Sequence, residues 1–276
     1  MATAPITAFV LGGGGVLGAK QIGMLRALGE RGVHPDLIVG TSVGALNGAV
    51  LAAEPIAAAV DTLTELWSDL SGAGVFSGSV LSRATRLATH RTHLHSAEPL
   101  RQLLEQHLPV TRIEQLPIKF ECVAASIARS GAHWFTDGPI TDAVIASCAV
   151  PGLFPPAHVG DDHYFDGGLV HSIPVGRAVH LGAQRIYVLH VGRIERPLRP
   201  PRWPWEVGLV AFEIARRHRF VEEMGQLPAD VEVHVLPSGE QDTPLVSVRY
   251  RDSTRVRSRI ERAYRASADY LDRSSA

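Results

Sequence analysis

Two short stretches, ITAFVLGGGGVLG at residues 6–18 and DLIVGTSVG at residues 36–44, decide how this chain folds. Each begins as an apolar run with β-branched residues, breaks at glycine and opens into a helical pattern. In the first, Ile22, Leu25 and Leu28 follow at three-residue spacing across residues 18–31. In the second, an Ala-rich helix is predicted over residues 43–53, ended by Pro55. Two strand–turn–helix units in succession predict a parallel sheet covered by helices. Their strands are continuously apolar rather than alternating, as strands buried on both faces are.

The rest of the chain extends this pattern. Residues 57–109 read as mostly helical, broken at 72–78, and are a candidate cover for a site. Strands are predicted at 118–127 and 132–136, then a short helix at 141–148 running into the turn Pro151-Gly152-Leu153-Phe154-Pro155-Pro156. A strand at 163–165 ends in Asp166-Gly167-Gly168, followed by a helix at 175–181 and a strand at 185–191. Beyond a Pro/Arg/Trp-rich stretch lies an amphipathic helix with the apolar stripe Val207, Val210, Ile214, Val221 and Met224. A last strand at 231–236 precedes a helix from about Ser253 carrying Val256, Ile260, Tyr264 and Leu271. With no internal repeat or low-complexity tail, the expectation is one domain over residues 1–276. Its fold class is α/β, a three-layer α/β/α sandwich around a central, mainly parallel sheet.

Composition narrows the function classes. The 276 residues are 45% hydrophobic and 20% charged, enough to bury a substantial core. A net charge of −1 carries no electrostatic footprint of a nucleic-acid binder. Cys122 and Cys148 have no metal-ligand spacing and are expected as buried free thiols in a reducing compartment, with no metal and no cofactor. The start of the chain lacks signal-peptide architecture, and the best apolar candidate span, residues 45–60, is broken by Asn47, Glu54 and Pro55. A soluble, cytoplasmic protein is expected.

The chemistry-bearing residues sit at the two glycine breaks. Ser42 lies between a strand and a helix, where a side chain points out only if the backbone turns tightly; Gly40 and Gly44 remove the clash two residues to either side. The helix beginning at Val43 directs its N-terminal N–H groups toward the serine, where a developing oxyanion would be stabilised. Taken alone, the motif also fits a plain serine N-cap. Gly13-x-Gly15-x-x-Gly18 matches the dinucleotide fingerprint, but the second strand ends in Gly40-Thr41-Ser42 rather than an acid, and Asp36 lies at its beginning. No Gly-Lys-Ser/Thr is present either, so the run is read as an oxyanion loop. For the base, the order Ser42…Asp166…His171 or His190 would form a triad, and Asp166 alone would serve if a shielded site raised its pKa.

The Gly13, Gly14, Gly15, Gly18 loop, the elbow at Ser42, Asp166-Gly167-Gly168, the turn from Ala146-Ser147 to Pro156 and Ile173-Pro174 occur in one order. In this the chain resembles the patatin-like phospholipases over about residues 5–190. The resemblance implies an acyl hydrolase with a Ser–Asp dyad, Ser42 as nucleophile and Asp166 as base. It implies an oxyanion hole at Gly13, Gly14, Gly15 and Val43, chiefly through the N–H groups of Gly14 and Gly15, and a lipid or ester substrate. Gly18, Gly40, Gly44, Gly167 and Gly168 support these motifs, and neither metal nor cofactor is required.

One departure stands out: Leu17 occupies a place where the family usually has a basic residue, implying a lower rate or a preference for neutral esters. It is also the feature favouring the second reading, a nucleotide- or acyl-binding protein without turnover. A lipid substrate also raises a possible peripheral membrane contact through Trp203, Trp205 and the helix with Arg216, Arg217 and Arg219. The core-like spacing of that helix's stripe instead predicts a helix packed on the sheet with a solvated basic face. Oligomeric state is not legible.

Overall fold

A computed structural model describes residues 5–72, 93, 95–191, 197–202, 204–239 and 253–274. Within them β1 (Thr7–Leu11) is buried along its whole length, with Phe9 and Leu11 in one hydrophobic cluster and Ala8 and Val10 in a second on the opposite face. Side chains of successive strand residues point to opposite faces, so two cores on one strand require cover on both sides. α1 (Ala19–Gly29), α2 (Val43–Ala53), α3 (Ile56–Gly72), α4 (Glu98–His107), α5 (Ile140–Ser147) and α8 (Ser253–Ser274) contribute to the first cluster. The second is covered by α6 (Val175–His180) and α7 (Pro204–Gly225). The result is the expected three-layer α/β/α sandwich.

β2 (Leu37–Thr41), β1, β7 (Arg185–Leu189) and β8 (Glu232–Val235) run parallel with β3 (Lys119–Ser126). The hairpin partner β4 (Gly131–Phe135) and β6 (Asp162–Asp166) each pair antiparallel with β3, and β5 (Ala157–Val159) pairs antiparallel with β6. β5 was not foreseen: three residues between Pro156 and Gly160 are too short for a legible alternation.

How β3 shares its edges matters most for the site. β4 holds one edge from Cys122 to Ser126. On the other edge β2 pairs as far as Thr41 opposite Val123, and β6 takes over at Asp166 opposite Ala124. β2 runs with β3 and β6 against it, so the C-terminal ends of the two strands abut at adjacent β3 residues.

α7 departs from expectation. Of its five stripe residues Val207, Ile214 and Val221 are 55%, 56% and 60% exposed, Val210 is half-buried and Met224 packs against the second cluster, whereas Arg216 and Phe220 are buried. The helix turns a mixed polar face inward because Arg216 finds acceptors there, described below. Trp203, the side chain of Trp205 and most of the predicted interruption at 72–78 lie outside the described residues. No described helix is long and apolar enough to cross a membrane.

Candidate active site

Ser42 follows the last residue of β2 and precedes α2, with φ 55° and ψ −127°. Non-glycine residues rarely occupy this left-handed region, and they hold it only when the surroundings over-determine it. Two contacts do so here. The Ser42 N–H donates to Ser147 Oγ at 2.8 Å, and Ser147 Oγ donates to the Val123 carbonyl at 2.6 Å, tying the turn to β3 through α5. Thr41 Oγ1 donates to the His171 carbonyl at 2.7 Å. A Cβ on Gly44 would overlap the Leu11 carbonyl oxygen, so glycine is needed there for α2 to pack against β1.

Because β2 and β6 abut, Ser42 meets Asp166. Ser42 Oγ donates to Asp166 Oδ2 at 2.6 Å, and Asp166 Oδ1 accepts the Gly168 N–H at 2.7 Å. Ser42 is 7% exposed and Asp166 2%. Burial pushes the Asp166 carboxyl up to about 6, opposed by the Ser42 hydroxyl, the Gly168 N–H and the positive charge of Arg216. The buried thiol of Cys148, also next to this pair, is pushed well above its ordinary range by desolvation and by Asp166, so it stays neutral. Gly167 packs against the Val123 carbonyl, too closely for a side chain, which holds the turn after Asp166 against β3.

The glycine loop is held by its carbonyls. Gln21 Nε2 donates to the oxygens of Gly12 and Leu189 at 2.8 and 2.9 Å, and Asn47 Nδ2 donates to Gly18 O and Gln21 Oε1 at 3.0 and 2.7 Å. Trp67 Nε1 completes this buried network on Asn47 Oδ1 at 2.9 Å. From the other side Arg216 Nη1 donates to Gly13 O at 3.1 Å. Gly15 opens a 3-10 turn and Val43 opens α2, so neither N–H has an acceptor within its own helix. Gly13 is different: its N–H donates to the Ser172 carbonyl at 2.9 Å, which removes it from the expected oxyanion donors. A Cβ at Gly13 would lie 3.3 Å from Ser42 Cβ, so the loop passes the serine with little room for a side chain.

Neither histidine of the alternative triad stands between Ser42 and Asp166. His171 Nδ1 is 2.6 Å from Glu223 Oε1, with the ring 5.3 Å from that of Trp134, and the His190 ring lies 6.4 Å from that of Phe220. Leu17 packs against the first hydrophobic cluster. Among the described residues no three His, Cys, Asp or Glu side chains group as metal ligands do.

Ser147, Ser172, Gln21, Asn47 and Arg216 were missed as site residues in the sequence. Asn47 carried a signal, being the one polar side chain in the apolar helix VGALNGAVLAA, and both it and Gln21 are fully buried. Ser172 and Arg216 carried none.

The patatin-like phospholipase family model matches residues 9–179. A patatin-like phospholipase domain-containing protein of Caenorhabditis elegans is 33% identical over 196 residues, 67% of this chain and 14% of the relative. Patatin-like phospholipase domain-containing protein 6 of Homo sapiens is 31% identical over 187 residues, 67% of this chain and 13% of the relative. A lysophospholipase of Mycosarcoma maydis is 30% identical over 190 residues, covering 67% and 10%. The match thus spans about one seventh or less of these much longer proteins. Among solved structures, VipD from Legionella pneumophila overlaps with a TM-score of 0.49 at 14% identity, covering 98% of this chain and 67% of that one.

Proposed function

The chain belongs to the patatin-like phospholipase family, and from that premise we propose that it is a serine acyl hydrolase acting on lipid acyl esters through a Ser42–Asp166 dyad. The observation that carries the reading is the 2.6 Å bond from the Ser42 hydroxyl to a buried carboxylate with a pKa of about 6. At neutral pH such a group is mostly ionised yet basic enough to take a proton.

As Ser42 Oγ attacks the acyl carbonyl, its proton passes to Asp166 Oδ2. The tetrahedral oxyanion is met by the N–H groups of Gly14, Gly15 and Val43, the last aided by the N-terminal dipole of α2. Asp166 returns the proton to the leaving alcohol, giving acyl-Ser42. It then takes a proton from water, which attacks the acyl carbon and releases the fatty acid, and Ser42 regains its hydrogen. The name lysophospholipase on a relative supports a lipid ester as substrate. Exposed Val207, Ile214 and Val221 on α7, at seven-residue spacing, support a peripheral contact with a lipid surface.

The test is hydrolysis of short- and long-chain p-nitrophenyl esters by wild type, Ser42→Ala and Asp166→Asn, with fluorophosphonate labelling of Ser42. Loss of activity in both variants, with labelling of wild type, is expected. A folded wild type that neither turns over nor labels overturns the proposal in favour of a binding protein built on the same pocket.

A further inference from the structure

α7 lies outside the residues that match the family, yet its inward face reaches the glycine loop. Arg216 is 7% exposed. Its Nη1 donates to the Gly13 carbonyl at 3.1 Å and to Ser172 Oγ at 3.3 Å. Its Nε and Nη2 lie 3.1 and 3.2 Å from the two carboxylate oxygens of Glu213, which also pairs with Arg217 at 3.3 Å. Guanidinium groups are rarely buried unless acceptors compensate them, and here one acceptor is a backbone carbonyl of the loop beside the serine.

The peptide between Gly13 and Gly14 gives that contact a consequence. A trans peptide is planar, so its C=O and N–H point in opposite directions. Whatever holds the Gly13 oxygen therefore sets the direction of the Gly14 N–H, and a cation on the oxygen also strengthens that N–H as a donor. Flanked by two glycines, the peptide meets little steric resistance to rotation, so its orientation must come from partners. Arg216 supplies one by taking the Gly13 C=O, while the Ser172 carbonyl, taking the Gly13 N–H, fixes the preceding Gly12–Gly13 peptide against which this one turns.

We propose that Arg216 is a positioning residue of the oxyanion hole: by holding the Gly13 carbonyl it aims the Gly14 N–H at the acyl oxygen of a substrate on Ser42, supplying from α7 the positive charge that Leu17 does not. This rests on the serine acyl hydrolase reading. It also makes α7 a working part of the site.

The test compares wild type, Arg216→Gln and Arg216→Lys of the full chain on p-nitrophenyl butyrate. Inhibition is measured alongside with an alkyl trifluoromethyl ketone, whose serine adduct carries an oxyanion. In the glutamine variant kcat is expected to fall about 10- to 100-fold, somewhat less than for removal of a donor itself, with KM within about twofold. The ketone Ki is expected to rise by the same factor as kcat falls. Lysine keeps the charge but not the guanidinium fork, so it recovers only part of both. The acid limb of kcat/KM is expected to move to higher pH in the glutamine variant and not in the lysine variant. Around Asp166 stand the Ser42 hydroxyl, the Gly168 N–H, the neutral Cys148 thiol and Arg216 with its partner Glu213, and glutamine removes the cation.

Wild-type kcat and Ki in the glutamine variant overturn the proposal, as does a kcat that falls only with the folded fraction while Ki stays constant. Should the glutamine variant not fold, the lysine variant decides alone: a several-fold parallel change in kcat and Ki is expected, and unchanged values overturn it. An active, Ser42-dependent wild type with indifferent Arg216 variants removes only this inference. A wild type that neither turns over nor binds the ketone removes the hydrolase reading and this inference together.

Discussion

Replacing Asp166 by asparagine separates what the carboxylate does for chemistry from what its burial does to the fold. Burial raises its carboxyl from 3.8 to about 6, even with the Ser42 hydroxyl, the Gly168 N–H and Arg216 favouring the ionised form. Between those two values the native protein holds a proton that the unfolded chain has lost. Stability therefore falls as pH rises from about 4 to about 6, and the loss persists at higher pH. About two pKa units at ~1.36 kcal/mol each amount to about 3 kcal/mol. Asparagine has nearly the same shape, still offers an oxygen to the Gly168 N–H, and has no charge to desolvate. Its stability relative to wild type should therefore improve with pH, by about 2 kcal/mol between about pH 4.5 and 7.5, where most of the titration falls. Urea unfolding of both proteins across that range, followed by tryptophan fluorescence, reads the difference directly. Hydrolysis by the variant should meanwhile fall by about a thousandfold or more, since no base remains beside Ser42. A stability difference that does not change with pH, or that turns against asparagine as pH rises, would refute the account of Asp166 as a buried carboxylate with a raised pKa.

Three further outcomes follow from the same geometry. In wild type, kcat/KM on a soluble ester should drop about tenfold per pH unit below about 6 as Asp166 takes up its proton; a profile flat to about pH 5 contradicts its role as base. Ser147→Ala leaves the Ser42 N–H and the Val123 carbonyl without their partner, so it should destabilise the fold by about 2–4 kcal/mol and lower kcat by loosening the Ser42 turn; a loss under about 1 kcal/mol in urea unfolding speaks against that anchor. Gly44→Ala drives a methyl into the Leu11 carbonyl and should leave little folded protein in a solubility and circular dichroism assay, and a folded, active variant would show that α2 can shift on β1.

Much of the architecture was legible because it is written in local pattern. Continuous apolar runs ending in glycine marked β1 and β2, and the predicted α2 agrees with the observed Val43–Ala53. The elbow glycines around Ser42 and the Asp166-Gly167-Gly168 turn were readable for the same reason, since each motif lies within a few residues and has a steric meaning of its own. α7 was legible as a helix but not in its orientation. An apolar stripe ordinarily faces inward, yet Val207, Ile214 and Val221 face out while Met224 packs inward and Arg216 and Phe220 are buried. That rotation depends on acceptors for the guanidinium that lie on distant segments.

The sequence by itself determined the main elements, the tight turn that carries Ser42 and the glycine-flanked acid Asp166, because backbone freedom and hydrophobic period are properties of neighbouring residues. Only the tertiary structure decided that β2 and β6 abut on one edge of β3, which brings Ser42 and Asp166, 124 positions apart, to 2.6 Å. It also decided that the Gly13 N–H is committed to Ser172, and that a guanidinium 203 positions along the chain holds the Gly13 carbonyl. Those are facts of register and docking, set by how whole faces bury against one another, and no short stretch of the chain contains them.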